Sequence, residues 1–343
     1  MEIVLLKHIP QDSIPLIPTG IDRLSQWGTS LRNRYDEFLG ETFSASDLSV
    51  TSTNRERTKM SLLLVLAGLY PPKGEQVWKD AINWQPIPIN SVPTEVSSFM
   101  KPSTCPTYKK ELDKVLNSEE YKRELSRYRE LMNNLTTLIG REVNKAEIVY
   151  HLFNTLTSEA AMNLPLPEWT EAYFPNGLII NATLLEYETK SYNEQLKKLN
   201  DGIFVRKVLN DLALEDRSSE SKQKLHLYSV HENNVAAVLQ ALNIWTNSIP
   251  EYGSAIVFEL HERSSPYFIR MLYYKGIPAE FEVRTIPGCS EYCALDDFLR
   301  LAENVLPHDV VESCFGPPSD SLLVPKTNQV AWMYQKIREW FSL

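Results

Sequence analysis

The residues with chemical capacity stand out by type and by place. His8 and His231 each follow a stretch with the pattern of a buried strand, Ile3-Val4-Leu5-Leu6 and Leu225-His226-Leu227-Tyr228-Ser229-Val230, so each imidazole sits at a strand end. Arg57 stands at the start of a helical stretch, where a guanidinium either lines a cleft or is a solvated surface charge. Taken alone, a strand-terminal histidine is more often a hydrogen-bonded structural residue than a reactive one. His151, His226, His261 and His308 add no pattern and receive no role. The four cysteines carry clearer chemistry. Cys289 and Cys293 flank Ser290-Glu291-Tyr292 after Pro287-Gly288, a turn able to close a small disulfide loop, while Cys105 and Cys314 complete an even set. No histidine or second cysteine pair stands at zinc-finger spacing, so neither a metal nor a cofactor is implied. Disulfides are favoured over free thiols, which points to an oxidising compartment. Asn134-Leu135-Thr136 and Asn181-Ala182-Thr183 are glycosylation sequons permitted in that setting.

The elements that must position these groups are legible in outline. Leu24, Trp27, Leu31, Tyr35 and Phe38 recur at helical spacing, and Gly40 follows as a C-terminal cap. Residues 48–52 read as a strand, followed by a turn and a helix from about Arg57 to Leu69, which Pro71-Pro72 ends. The strand at 225–230 leads into a helix through Val235, Val238, Leu239 and Leu242. Residues 254–260 and 267–274 read as a hairpin. Between these ends, residues 94–222 are mainly helical and highly charged, their charges forming solvated helix faces. The simplest architecture is an α/β core of residues 1–93 and 223–343 with a helical cap, 94–222, inserted in it.

Composition narrows the field. The chain has 343 residues, 43 % of them hydrophobic and 23 % charged, which is the balance of an ordered globular protein. Lys and Arg number 35 against 44 Asp and Glu, a net charge of −9, so no electrostatic attraction to nucleic acid or to an anionic membrane is expected. The longest apolar run, 62–70, is far too short to span a bilayer. The start of the chain lacks a basic n-region and a cleavage site, as in a cytosolic protein or in a mature secreted one.

The stretch Ser52-Thr53-Asn54-Arg55-Glu56-Arg57-Thr58-Lys59-Met60-Ser61, running on to Leu66-Ala67-Gly68-Leu69-Tyr70-Pro71-Pro72, resembles the second active-site segment of the histidine acid phosphatases. Trp84-Gln85-Pro86-Ile87-Pro88, Pro287-Gly288-Cys289 with Cys293, and Cys314 match the prostatic and lysosomal branch of that family. The likeness runs from about residue 20 to 315. It implies an α/β fold of the phosphoglycerate mutase-like kind, a mixed central sheet flanked by helices with an inserted helical cap. It also implies the disulfides Cys105–Cys314 and Cys289–Cys293, and the loss of a third at Ser158 and Ala255. Members of the family hydrolyse phosphate monoesters through a phosphohistidine. Several cationic forks neutralise the phosphate dianion so that an imidazole can attack phosphorus, and a His-acid pair supplies a ligand and a general acid.

Against that pattern, Lys7-His8-Ile9-Pro10-Gln11-Asp12 keeps the nucleophile position in His8. Lys7 retains a charge without a bidentate fork, Gln11 replaces an arginine, and Asp12 adds a repelling carboxylate. Arg57 matches the third arginine, His231 is kept, and Glu232 replaces the usual Asp. Removing one such donor costs about 10²–10³ in rate, so these changes predict a pseudoenzyme, with His8, Arg57, His231 and Glu232 as degenerate remnants. The connection from His8 to the helix at Trp27 is also shorter than in the enzymes, which widens the expected cleft. The pattern resembles the acid phosphatase-like proteins in the saliva of blood-feeding insects, fleas above all. That resemblance implies a secreted salivary binder of small mediators, biogenic amines such as serotonin and catecholamines, and cysteinyl leukotrienes. The implied ligand site comprises Lys7, His8, Gln11, Asp12, Arg57, Phe99, Tyr150, His231 and Glu232. Glu232 or Asp12 would meet an amine and Lys7 and Arg57 a carboxylate, while Phe99 and Tyr150 either stack on a ring or belong to the helix core. A weakly active acid phosphatase using His8 is the alternative expectation.

Overall fold

The computed structural model describes residues 16–92, 101–212, 223–262, 267–276 and 280–316. The expected strand at Ile3–Leu6 lies outside them. The first long helix, α1 (Pro18–Leu39), starts with proline in its first turn and ends where Gly40 adopts φ 77°. A kink at Tyr35 (φ −117°, ψ 21°) turns its last residues, and Phe38 is 56 % exposed instead of completing the apolar stripe. Strand β1 (Leu48–Thr53) is buried at five of its six positions and feeds α2 (Glu56–Leu69). The two helices pack backbone to backbone. A Cβ on Gly28 would meet the Val65 carbonyl oxygen at 2.1 Å, and one on Gly68 would meet that of Ser25 at 2.2 Å. Beneath them Leu31, Leu62, Val65, Leu66 and Leu69 close over Val50 and Leu227 of the sheet.

After β2 (Asn90–Val92) comes a helical stretch: α3 (Pro106–Asn117), α4 (Glu119–Ser126), α5 (Arg129–Ile139), α6 (Ala146–Ala161), α7 (Leu178–Lys190), α8 (Glu194–Lys197) and α9 (Ile203–Asp211). A π-helical turn, Lys198–Gly202, joins the last two. The chain continues through β3 (Leu225–Ser229), α10 (Glu232–Ala241), β4 (Ala255–Glu262), β5 (Tyr267–Tyr274), β6 (Phe281–Arg284), β7 (Cys293–Ala294), α11 (Leu295–Ala302) and α12 (Val310–Phe315).

The described strands form two sheets. One is parallel, in the order β2-β1-β3, with Thr53 beside Val92 and Ser52 beside Ser229. The other is antiparallel, β4-β5-β6 with β7 also on β5, and its hairpin pairs Ala255 with Tyr274 through to Glu262 with Tyr267. Disulfides join Cys105, which precedes α3, to Cys314 in α12, and Cys289 to Cys293. The parallel sheet positions the chemistry, because β1 and β3 end side by side and each leads straight into a helix. The crevice beyond the carboxyl ends of parallel strands is where such sheets place ligands.

Candidate active site

The turn after β1 is held by threonines. The Thr58 hydroxyl lies 2.7 Å from that of Thr53, and within 3.0 Å of the Thr53 and Arg55 carbonyl oxygens. This knot fixes the first turn of α2 and therefore the root of the Arg57 side chain. The turn after β3 is fixed differently. His231 caps α10 in extended geometry, and its backbone N–H donates to Asn234 Oδ1 at 3.1 Å, the reach-back half of a capping box.

The two turns meet at the His231 ring. Arg57 Nη2 stands 3.5 Å from His231 Nδ1, and Thr53 Oγ1 stands 3.4 Å from Nε2. Segments 174 residues apart in sequence thus bring a guanidinium and an imidazole to one place. Glu232 is next in the chain, and its carboxylate accepts a hydrogen bond from the buried Tyr150 hydroxyl of α6. Burial, and then the Arg57 charge, push the His231 imidazole down to about 4, with Arg55 and Lys101 acting the same way and Glu232 opposing them. Burial and the Glu232 carboxylate push the Tyr150 hydroxyl up, so it remains a donor.

Of the residues expected from sequence, Arg57, His231, Glu232 and Tyr150 come together. Lys7, His8, Gln11, Asp12 and Phe99 lie outside the described residues. Tyr150 does not offer a ring for stacking. It is 5 % exposed, with Tyr187 and His151 against its ring and Lys190 Nζ 5.0 Å from its centroid. Its role at the site is to hold Glu232. Thr53, Lys101 and Asn234 join the site without any expectation from sequence. Lys101 carries no motif signal, and Asn234 could have been found as the third residue of a helix whose cap is His231.

Among the described residues, a depressed imidazole beside Arg57, with Arg55 and Lys101 acting in the same sense, is suited to an anion that brings its own negative charge. The negative charge of a phosphate group would offset the burial and the cation repulsion that hold the His231 imidazole down, so that the ring could take a proton and donate a hydrogen bond to phosphate oxygen. Among the described residues, no cluster of His, Cys, Asp and Glu could hold a metal ion.

The family model described as "Histidine phosphatase superfamily (branch 2)" matches residues 8–274 of the chain. The venom acid phosphatase Acph-1 of Apis mellifera is 37 % identical over 302 residues, which are 87 % of this chain and 77 % of that protein. The lysosomal acid phosphatase of Xenopus laevis is 30 % identical over 310 residues, covering 89 % of this chain and 72 % of the relative. Among solved structures, the apo form of Hafnia alvei phytase superposes with a TM-score of 0.66 at 16 % identity, over 90 % of this chain and 91 % of that one; this likeness speaks to the fold alone.

These relatives correct the expectation of a pseudoenzyme, since proteins similar along most of the chain are named acid phosphatases. The physical reason lies in how the charge is counted. Weighing motif arginines one by one leaves out Lys101, which acts on His231 in the same sense as Arg57 and Arg55, so the positive field does not depend on the motif alone.

Proposed function

Because the chain belongs to the histidine phosphatase superfamily, branch 2, we propose that it is an acid phosphatase hydrolysing phosphate monoesters beyond the ends of β1 and β3. One observation carries this reading: Arg57 reaches the His231 ring at 3.5 Å, with Glu232 beside it and Arg55 and Lys101 lining the same cavity. In the family's scheme His8 attacks phosphorus, and the ester P–O bond breaks as the N–P bond forms. Glu232, as general acid, gives a proton to the departing alkoxide. Water then attacks phosphorus and gives its proton to Glu232, the N–P bond breaks to free His8, and inorganic phosphate leaves. Arg57 and the His231 imidazolium would hold the phosphoryl oxygens through both steps, an electrostatic contribution greatest where charge develops. Hydrolysis of an aryl phosphate at acid pH by the wild type, together with its loss in His8→Ala, is the expected result. An inactive wild type would overturn the reading.

The venom and lysosomal relatives, with the two disulfides, favour a secreted or lumenal location. A second reading, capture of an amine such as serotonin or a catecholamine in the same cleft, is favoured by a separate observation. Among the described residues, Glu232 is bonded by Tyr150 rather than by a cation, which leaves a carboxylate to pair with an ammonium. Calorimetric titration with serotonin tests it: heat that Glu232→Gln abolishes supports the reading, and no heat at several temperatures removes it. A leukotriene carboxylate would meet the Arg57 side of the site and compete with phosphate.

A further inference from the structure

Behind the His231 turn lies a group that the mechanism does not use. Asp201 sits in the π-helical turn between α8 and α9 and has no exposed surface. Such single π turns are often found where a helix is bent to serve a site. The turn is pressed into place, because a Cβ on neighbouring Gly202 would fall 1.9 Å from the Val305 carbonyl oxygen. Asp201 Oδ1 accepts a hydrogen bond from Asn234 Nδ2 at 3.2 Å, while its Oδ2 is buried with no hydrogen-bond partner among the described residues. Asn234 is itself 4 % exposed, and its Oδ1 is the acceptor for the His231 N–H.

We infer that Asp201 is a positioning residue for the phosphatase site, acting through the Asn234 amide to fix where the His231–Glu232 turn presents its imidazole and carboxylate. The inference rests on the phosphatase reading for its kinetic consequence and on geometry for the rest. An amide side chain is nearly symmetric in shape, and only its surroundings decide which end is oxygen. The Asp201 acceptor draws the NH2 end toward itself and so turns the carbonyl end toward the His231 N–H. Without that acceptor the hold on the NH2 end weakens, and a flipped amide would set donor against donor at the helix cap and shift the turn. Burying a carboxyl with an unpartnered oxygen is costly where an apolar side chain would pack without penalty, so a purely space-filling role does not account for it. Burial also holds the Asp201 carboxyl well above the ordinary carboxylate range, with the Asn234 hydrogen bond opposing it.

The test compares Asp201→Leu, which removes the acceptor while keeping the branched shape, with Asp201→Asn, which keeps a carbonyl oxygen. Each is assayed by thermal melting, by kcat and KM on an aryl phosphate, and by the NMR signal of the His231 ring, assigned through its loss in His231→Asn. Asp201→Leu should lower kcat about 10- to 100-fold with little change in KM, the scale expected of a small misplacement of catalytic groups, and should displace the His231 signal. Asp201→Asn should recover most of the activity and the wild-type signal. If Asp201→Leu does not fold, Asn234→Ser carries the same comparison. A folded Asp201→Leu with wild-type kcat and an unmoved His231 signal overturns the inference. If the wild type itself hydrolyses nothing, the phosphatase reading is lost, and the His231 signal alone decides whether Asp201 positions the turn.

Discussion

Two places in this molecule gather the same side-chain types and reach opposite outcomes. Around Glu259 on β4, Arg34 donates at 2.9 Å and Tyr35 at 2.6 Å to one carboxylate oxygen, while His261 stands at 3.1 Å and Arg270 at 3.4 Å from the other. Arg270 in turn meets Glu291 at 2.6 Å. Burial pushes the Glu259 carboxyl up, but the hydrogen bonds from Tyr35, His261 and Arg34 outweigh it, and the net shift is downward. Every charge there has found its complement within the fold. Around His231 the cations Arg57, Arg55 and Lys101 face a depressed imidazole and one carboxylate that a tyrosine holds. The first cluster balances its charges internally and stabilises structure. The second sets its cations against an imidazole that burial and their charge hold low, a strain that an arriving anion can relieve. Residue type does not separate a structural cluster from a functional one; the local charge balance does.

Exchanging the damage between the two clusters is the largest test of this contrast. Arg57→Ala should lower kcat/KM on an aryl phosphate by about 10²–10³, the loss of one preorganised cationic donor, with the melting temperature little changed. Glu259→Gln should do the reverse. It leaves Arg34 without its carboxylate and Arg270 with Glu291 alone, costing on the order of 2–4 kcal/mol of stability, while hydrolysis per folded molecule stays at the wild-type level. Steady-state kinetics and urea melts on both variants give the two-by-two outcome. Equal effects on both readouts at both positions would erase the distinction.

A smaller effect arises from the His231 imbalance. Its imidazole titrates near 6.5 in the unfolded chain and is pushed down to about 4 in the folded one. Between those values the unfolded state binds the extra proton. Stability contributed by this site is therefore fully present above about pH 6.5 and is lost as pH falls through 4. Urea melts from pH 7 to pH 4 should show the wild type losing on the order of 1–3 kcal/mol more than His231→Asn. Saturating inorganic phosphate should shrink that difference, since a bound anion favours the imidazolium. A pH slope identical in the two proteins would mean that His231 is not held in its neutral form.

Much of the scaffold is legible in sequence because it is written in local periodicity. The strand expected at 48–52 is Leu48–Thr53, the helix expected from Arg57 is Glu56–Leu69, and the hairpin expected at 254–260 and 267–274 is Ala255–Glu262 with Tyr267–Tyr274. Phe38 falls outside the buried stripe because a kink at Tyr35 breaks the helical phase, and no periodicity carries that information. At the site, the motifs around Arg57 and His231 announce them. Nothing announces Lys101 and Asp201, because each lies in a segment remote from those motifs and acts through space. A buried carboxylate in a π turn has no sequence spacing to mark it.

Tyr150 gives the finest test, because two physical roles predict different results from one pair of variants. Were its ring a stacking platform, Tyr150→Phe would be silent and Tyr150→Leu harmful. The geometry instead gives its hydroxyl to the Glu232 carboxylate and buries the ring between Tyr187, His151 and Lys190. A hydrogen bond to a charged group contributes about 1.5–3 kcal/mol when fully buried. Glu232 is only partly buried, so water can replace part of that bond. Tyr150→Phe should therefore lower kcat by about three- to tenfold, near 1 kcal/mol, with KM nearly unchanged, since the carboxylate and not the phosphate-binding cations is disturbed. Steady-state kinetics on the two variants decides the matter. A silent Tyr150→Phe would return the residue to the apolar core and leave Glu232 to be placed by the helix cap alone.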